Sequence, residues 1–204
     1  MKIKQHFPSS YLVWDTETTG LDPATCKVIE IAAIRVKDSV VVDRWSSLLN
    51  WGLPIPEQAS VIHGITKQMI DEAGPFTDPK AVLHTFLDML HAAGNVSVTH
   101  NGSRFDIPFL MHAFGAVGIS PGGMWDRFHI DTAALYKGEK LDASRGWFED
   151  QDSFYSRVLN VRAPIKYNVG VCCDELGIDR SQVVQHRALG DCELTNEIYK
   201  KLCL

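Results

Sequence analysis

Apolar residues fall in dense short runs before position 50 and at helical spacing after it. Tyr11-Leu12-Val13-Trp14 is a continuous apolar run of strand length that stops at Asp15. Gly20-Leu21-Asp22-Pro23 reads as a turn. Residues 27–37 and 40–49 are rich in Val and Ile, and only Asp38-Ser39 separates them, which predicts a hairpin. With the first run this makes three antiparallel strands. Pro54-Ile55-Pro56 breaks the pattern, and Val61-Ile62-His63-Gly64-Ile65-Thr66 leads into a short helix capped by Thr66. Asp78-Pro79 opens a longer helix as N-cap and first-turn residue. Its residues Val82, Leu83, Phe86, Leu87, Met89 and Leu90 are spaced for burial over a wide face, and Gly94-Asn95 ends it.

A short strand over 96–100 follows, then helical spacing from Phe105 to Phe114. Phe128-His129-Ile130 reads as the last strand, with Asp131-Thr132 capping the helix after it. Over 137–166 the periodicity fails. That stretch mixes Lys137, Lys140, Arg145, Arg157 and Arg162 with Trp147, Phe148, Phe154 and Tyr155, and carries five acids as well. Helical patterning returns over 167–176, stops at Gly177, and resumes over 188–202. The order βββ–α–α–β–α–β–α–α predicts an α/β fold, one mixed sheet of about five strands with helices on both faces.

Composition narrows the function. At 204 residues the chain has the length of one domain with a sizeable core. A net charge of −5 argues against a protein that coats nucleic acid through a broad basic face, yet allows one that grips a few nucleotides in a cleft. The five cysteines are odd in number and include no Cys-x-x-Cys pair, which suggests neither a disulfide framework nor a zinc site. Residues 1–10 have no apolar core of signal-peptide length, and no run reaches membrane-span length. A cytoplasmic protein with free thiols and no membrane partner is expected.

The chemistry begins where the first apolar run ends. In a strand Asp15 and Glu17 share a face, and two carboxylates side by side repel unless a cation sits between them. A hard divalent ion with oxygen ligands is the usual resolution. Asp106 follows His100-Asn101-Gly102-Ser103-Arg104-Phe105 near a helix N-terminus, where an acid also complements the helix dipole. In His186-Arg187-Ala188-Leu189-Gly190-Asp191, the histidine and the acid converge only if His186 lies on the loop before the helix, with Asp191 on the helix's inner face. Gly190 leaves room there for a close approach.

These residues together resemble the DnaQ-like, or DEDDh, 3′–5′ exonucleases of the RNase H-like fold. That family carries Asp-x-Glu in its first motif, Asn-x-x-x-Asp with nearby aromatics in its second, and His-x-x-x-x-Asp in its third. The chain carries counterparts of all three, in order. The resemblance spans nearly the whole chain, read as one exonuclease domain over 1–204 with 137–166 as an insert that has no counterpart in the family. Trp14 stands where the family has a smaller aliphatic residue. The tyrosine variant of the third motif is excluded, because Arg187 occupies the position four before Asp191.

The resemblance implies two divalent cations, Mg²⁺ or Mn²⁺, held by Asp15, Glu17, Asp106 and Asp191, with Asp15 bridging and His186 as general base. It also implies contacts to the 3′ terminus from Thr18, Leu21, His63, Asn101 and Phe105. Asp131 is better explained as a helix N-cap than as a fifth metal ligand. The first motif looks more like that of polymerase proofreading subunits, such as the epsilon subunit of bacterial DNA polymerase III, than that of RNA-trimming members. Single-stranded DNA is therefore the expected substrate, with RNA the alternative, and a DNA polymerase is a compatible partner. A reading of another class is a non-catalytic module that binds nucleic-acid ends or a polymerase. Loss of a metal carboxylate would be its signature, and none is lost.

Overall fold

The structure is a computed structural model that describes residues 7–121, 128–184 and 186–204. Most of residues 1–10, read above for a leader, thus lies outside the described residues. Five strands form one sheet: β1 (Tyr11–Thr18), β2 (Val28–Lys37), β3 (Val40–Leu48), β4 (Val96–Thr99) and β5 (Phe128–Asp131), in the order β3-β2-β1-β4-β5. β1, β2 and β3 pair antiparallel, whereas β4 and β5 run parallel to β1. Asp38 and Ser39, at φ 50° and 65°, make the β2–β3 turn with the double positive φ that suits hairpin twist.

Alternation along β1 divides the core. Leu12 and Trp14 face α3 (Pro79–Ala92) and α4 (Asp106–Ala116), where Trp14 meets Phe86 edge to face at 5.4 Å. Tyr11 and Val13 face α8 (Ala188–Cys203) with Ala32, Ile34, Val98 and Ile130. The far half of α8 is pinned by Tyr11, whose hydroxyl donates to Asn196 Oδ1 at 2.9 Å, and by Tyr199, whose hydroxyl donates to the Pro8 carbonyl at 2.7 Å.

The expected caps are present. Thr66 Oγ1 accepts from Met69 N–H at the start of α2 (Lys67–Glu72), and Asp78 Oδ1 accepts from Ala81 N–H with Pro79 in the first turn. A 3₁₀ turn at Gly74–Thr77 joins these helices. Where a broken stretch was expected, Glu57–His63 forms α1, starting directly after Pro56 without a side-chain cap. Its apolar content is misleading, because Val61 and Ile62 face solvent.

The 137–166 stretch is likewise more regular than its pattern suggested. α5 (Thr132–Lys140) runs into it, and Gln151–Asn160 forms α6, followed by α7 (Val169–Leu176). Phe154, Tyr155, Val158 and Leu159 bury one side of α6 against Ala133 and Ala134 of α5. Lys137, although buried, donates to the Leu159 and Val161 carbonyls at 2.8 and 2.9 Å, the acceptors a helix C-terminus leaves open. Arg104 bonds Asn160, and His100 Nε2 bonds the Tyr167 carbonyl at 2.6 Å. The C-terminal end of α6 thus braces the loop that leads to Asp106, whereas the solvent-exposed Trp147 and Phe148 precede its start.

Candidate active site

The site lies at the carboxyl end of β1, beside its parallel neighbour β4, where open α/β sheets usually bind ligands. Asp15 and Glu17 project on the α8 face, and Asp191 meets them from the first turn of α8. One carboxylate oxygen from each of these three residues lies within 4.8 Å of the others. Asp106 approaches from the start of α4 and is held differently. Its Oδ1 accepts from the Thr16 backbone N–H at 3.1 Å and from the Thr16 hydroxyl at 2.6 Å. Asp106 stands outside the three-carboxylate group, yet its charge is the largest electrostatic influence on Asp15.

All four carboxyls are pushed towards their protonated forms. Burial raises Asp15 well above the ordinary carboxylate range, and repulsion from Asp106, Asp191 and Glu17 adds to it. Glu17 is raised to about 8 by burial and then by Asp191 and Glu30, with Arg187 partly opposing. Asp106 is raised to about 7 by burial, against the hydrogen bonds from Thr16. Burial raises Asp191 too, opposed by His186. Crowded carboxyls that resist ionisation are stabilised by cations between them. The converging donors are all oxygens, which suits a hard ion such as Mg²⁺ or Mn²⁺.

His186 lies on the loop before α8, in a left-handed conformation at φ 58°, and is exposed. Its backbone N–H donates to Asp191 Oδ2 at 3.2 Å, tying the third-motif histidine to the third-motif acid through the main chain. What fills the space above Gly190 is this loop. A Cβ there would stand 2.1 Å from the Val184 carbonyl oxygen, so glycine lets the loop lie on the helix.

The residues expected at the 3′ terminus are less uniform. Leu21 is 85% exposed, which removes core packing as its role. The Thr18 hydroxyl is turned to the Gly20 carbonyl at 2.6 Å, shaping the turn that presents Leu21. His63 is buried. Its Nδ1 accepts from Ile65 N–H at 3.0 Å, while Nε2 has no hydrogen-bond partner among the described residues. Burial lowers its pKa, and the nearby Thr18 backbone opposes this. Asn101, at φ 63°, also holds a buried side-chain oxygen without a partner among the described residues. Phe105 packs on the core beside Phe109 at 4.8 Å, so much of its ring surface is structural.

The reading of the second motif as Asn-x-x-x-Asp is one residue short for this chain, since four residues separate Asn101 from Asp106. Asp131 anchors the resulting loop. It caps α5 through Ala133 and Ala134 N–H, and it also accepts from Asn101 N–H at 2.9 Å and Ser103 N–H at 3.1 Å. The sequence reading of Asp131 as an N-cap therefore holds, with a second task added.

Glu30 and Arg187 were missed. Glu30 sits opposite Glu17 in the β1–β2 register and is 2% exposed. The one available signal was a lone acid inside the apolar run Val28-Ile29-Glu30-Ile31-Ala32-Ala33. In the sequence Arg187 shows only that the tyrosine form of the third motif is absent.

The family model described as Exonuclease, RNase T, matches residues 12–199. A DNA polymerase III PolC-type protein of Thermotoga petrophila is 30% identical over 191 residues, which are 94% of this chain and 12% of that protein. A DNA polymerase III subunit epsilon-like protein of Rhodobacter capsulatus is 29% identical over 196 residues, or 95% of this chain and 23% of the relative. The chain thus spans less than a quarter of either relative. Among solved structures, product-bound exonuclease I aligns with a TM-score of 0.73 at 20% identity, covering 96% of this chain and 43% of that one. Escherichia coli exonuclease I in complex with a dA16 oligonucleotide aligns at 0.67, also at 20% identity, covering 96% and 40%. At that identity the likeness establishes the shared fold.

Proposed function

This chain belongs to the RNase T exonuclease family, and on that basis we propose that it is a metal-dependent 3′–5′ exonuclease that trims DNA and releases nucleoside 5′-monophosphates. The observation that carries the reading is the convergence of Asp15, Glu17 and Asp191 at the end of β1, with Asp106 adjacent. Its 204 residues are read as one exonuclease domain with 137–166 as an insert, working in a reducing compartment, the cytoplasm, that suits five free cysteines. Among the described residues no helix is long and apolar enough to cross a membrane.

Two divalent ions, Mg²⁺ or Mn²⁺, held by Asp15, Glu17, Asp106 and Asp191, would neutralise phosphate charge and acidify the attacking water. His186, exposed beside Asp191, accepts the proton that this water gives up, a role worth about 10²–10⁴-fold in rate. Thr16 orients Asp106 by fixing Oδ1. Leu21 stands exposed at the turn after the first motif, where it wedges against the terminal base. His63 and Asn101 would line the terminal nucleotide's pocket, although His63 Nε2 and the Asn101 side-chain oxygen are buried in this structure. Phe105 offers the edge of a ring whose remainder is core.

DNA is favoured over RNA because the similar relatives are named as DNA polymerase III proteins, and exonuclease I was solved with DNA oligonucleotides. Polymerase association belongs to proteins far longer than this chain and is a separate proposal for it. Side-by-side digestion of 5′-labelled single-stranded DNA and RNA with Mn²⁺ tests the substrate. Shortening of DNA in preference to RNA supports the reading, and faster shortening of RNA transfers the assignment to RNA trimming.

A further inference from the structure

Glu30 is a buried carboxylate on the face that carries Asp15 and Glu17, yet it does not join their cluster. Both of its oxygens are committed elsewhere. Arg187 grips it as a fork, Nη2 to Oε1 at 2.6 Å and Nε to Oε2 at 3.1 Å, and Ala188 N–H donates to Oε2 at 3.1 Å. Such bidentate, charge-assisted contacts fix geometry as well as adding energy. The Ala188 contact also satisfies one of the open amides of the α8 N-terminus, where Arg187 makes no side-chain cap of its own.

Position makes this contact consequential. Arg187 lies between the two residues the third motif contributes. His186 precedes it on the loop, and the Arg187 carbonyl accepts from Asp191 N–H at 3.1 Å one turn into the helix. Fixing Arg187 therefore fixes the base on one side and a carboxylate on the other. The tyrosine contacts at Asn196 and Tyr199 hold the far half of α8; its near half packs through Ala188 and Cys192, and Glu30 supplies the grip at its first residues.

We propose that Glu30 and Arg187 are positioning residues that set His186 and Asp191 in place before any ion or substrate binds. This rests on the exonuclease reading above for the roles of those two residues. The pair also restrains Glu30 from turning towards the cluster as an extra ligand, since Arg187 holds both of its oxygens and Ala188 N–H one of them.

The test compares wild type with Arg187→Met, Arg187→Lys and the double variant Glu30→Gln/Arg187→Met. The double variant removes the buried charge together with its partner and so keeps the fold available. Three readouts are taken: kcat and KM on a 3′-terminated oligonucleotide, Mn²⁺ affinity by electron paramagnetic resonance, and the unfolding midpoint. Arg187→Met and the double variant should lose about tenfold or more in kcat with KM nearly unchanged, and bind Mn²⁺ more weakly, while Arg187→Lys recovers part of both. In a His186→Ala background the double substitution should cost little further rate, because the base it positions is already gone. Wild-type kcat and Mn²⁺ affinity in the double variant would overturn the proposal, as would an equal fold-loss with and without His186. If wild type itself degrades no nucleic acid, the exonuclease reading fails, and the Mn²⁺ affinities still decide whether the pair positions Asp191.

Discussion

Thr16 and Asp106 are joined twice. The backbone N–H and the hydroxyl of Thr16 both donate to Asp106 Oδ1, at 3.1 and 2.6 Å, although Thr16 stands between Asp15 and Glu17 in sequence. Alternation sends the Thr16 side chain to the opposite face of the sheet from its acidic neighbours. One short strand end therefore supplies two carboxylates on one side and holds a third from the other. Thr16→Val keeps the shape and the backbone bond but loses the hydroxyl. Stability should fall by about 1–3 kcal/mol, the cost of leaving a buried acceptor without its hydroxyl donor, with turnover falling as Asp106 loosens. Denaturant unfolding beside initial rates would show it, and unchanged values of both would count against the role given to Thr16.

The crowded carboxyls make the ion-free protein sensitive to pH in a definite direction. Glu17 rises from an ordinary 4.5 to about 8, and Asp106 from 3.8 to about 7. Between those values the folded chain binds more protons than the unfolded one, so stability falls as pH rises. Their contribution is complete below the unfolded values and is lost as pH rises through about 7 to 8. In EDTA the unfolding midpoint should therefore decrease from pH 5 to pH 8. Added Mg²⁺ or Mn²⁺ competes with the protons and should raise the midpoint more at pH 8 than at pH 6. An ion effect that shrinks as pH rises would contradict this picture of the cluster.

Asp131 shows how a cap can serve the site. Its Oδ1 accepts from Asn101, Ala133 and Ala134, while Oδ2 accepts from Ser103. Asp131→Asn, with its amide nitrogen facing Ser103 N–H, should break the Ser103 contact and preserve the helix cap and the Asn101 contact. Asp131→Ala removes all of them. The expected order of stability is wild type, Asn, Ala, with the Asn variant losing about 1–3 kcal/mol, and with activity reduced in both because the loop carries Asp106. An Asn variant as stable in urea as wild type would show that the Ser103 contact contributes nothing.

How far the sequence reveals these features depends on how local they are. β1, β2 and β3 were legible because dense apolar runs separated by Asp38-Ser39 leave few alternatives. Thr66, Asp78 and Asp131 were legible as caps because each acts within three residues of itself. α6 escaped because its buried pairs, Phe154-Tyr155 and Val158-Leu159, are embedded among exposed charges and preceded by the solvent-facing Trp147-Phe148. The grip of Arg187 on Glu30 links residues 157 positions apart, and nothing along the chain announces it. The motif acids themselves were legible through their family pattern. Their arrangement, three together and Asp106 held apart by Thr16, needed the fold.

The central claim is that this carboxylate cluster, with His186, removes nucleotides from a free 3′ end. It is tested most directly by digesting 5′-labelled single-stranded DNA, with a free or a phosphate-blocked 3′ end, in Mn²⁺ and in EDTA. Wild type, Asp15→Asn and His186→Ala are compared, and mononucleotide products are identified by chromatography. The expected result is stepwise shortening from the free 3′ end, nucleoside 5′-monophosphates as products, and no reaction in EDTA. The 3′ block should stop shortening, Asp15→Asn should be inactive, and His186→Ala should be slowed by about 10²–10⁴-fold with its fold intact. Shortening by Asp15→Asn or His186→Ala at the wild-type rate, or wild-type digestion that begins at the 5′ end, would contradict it.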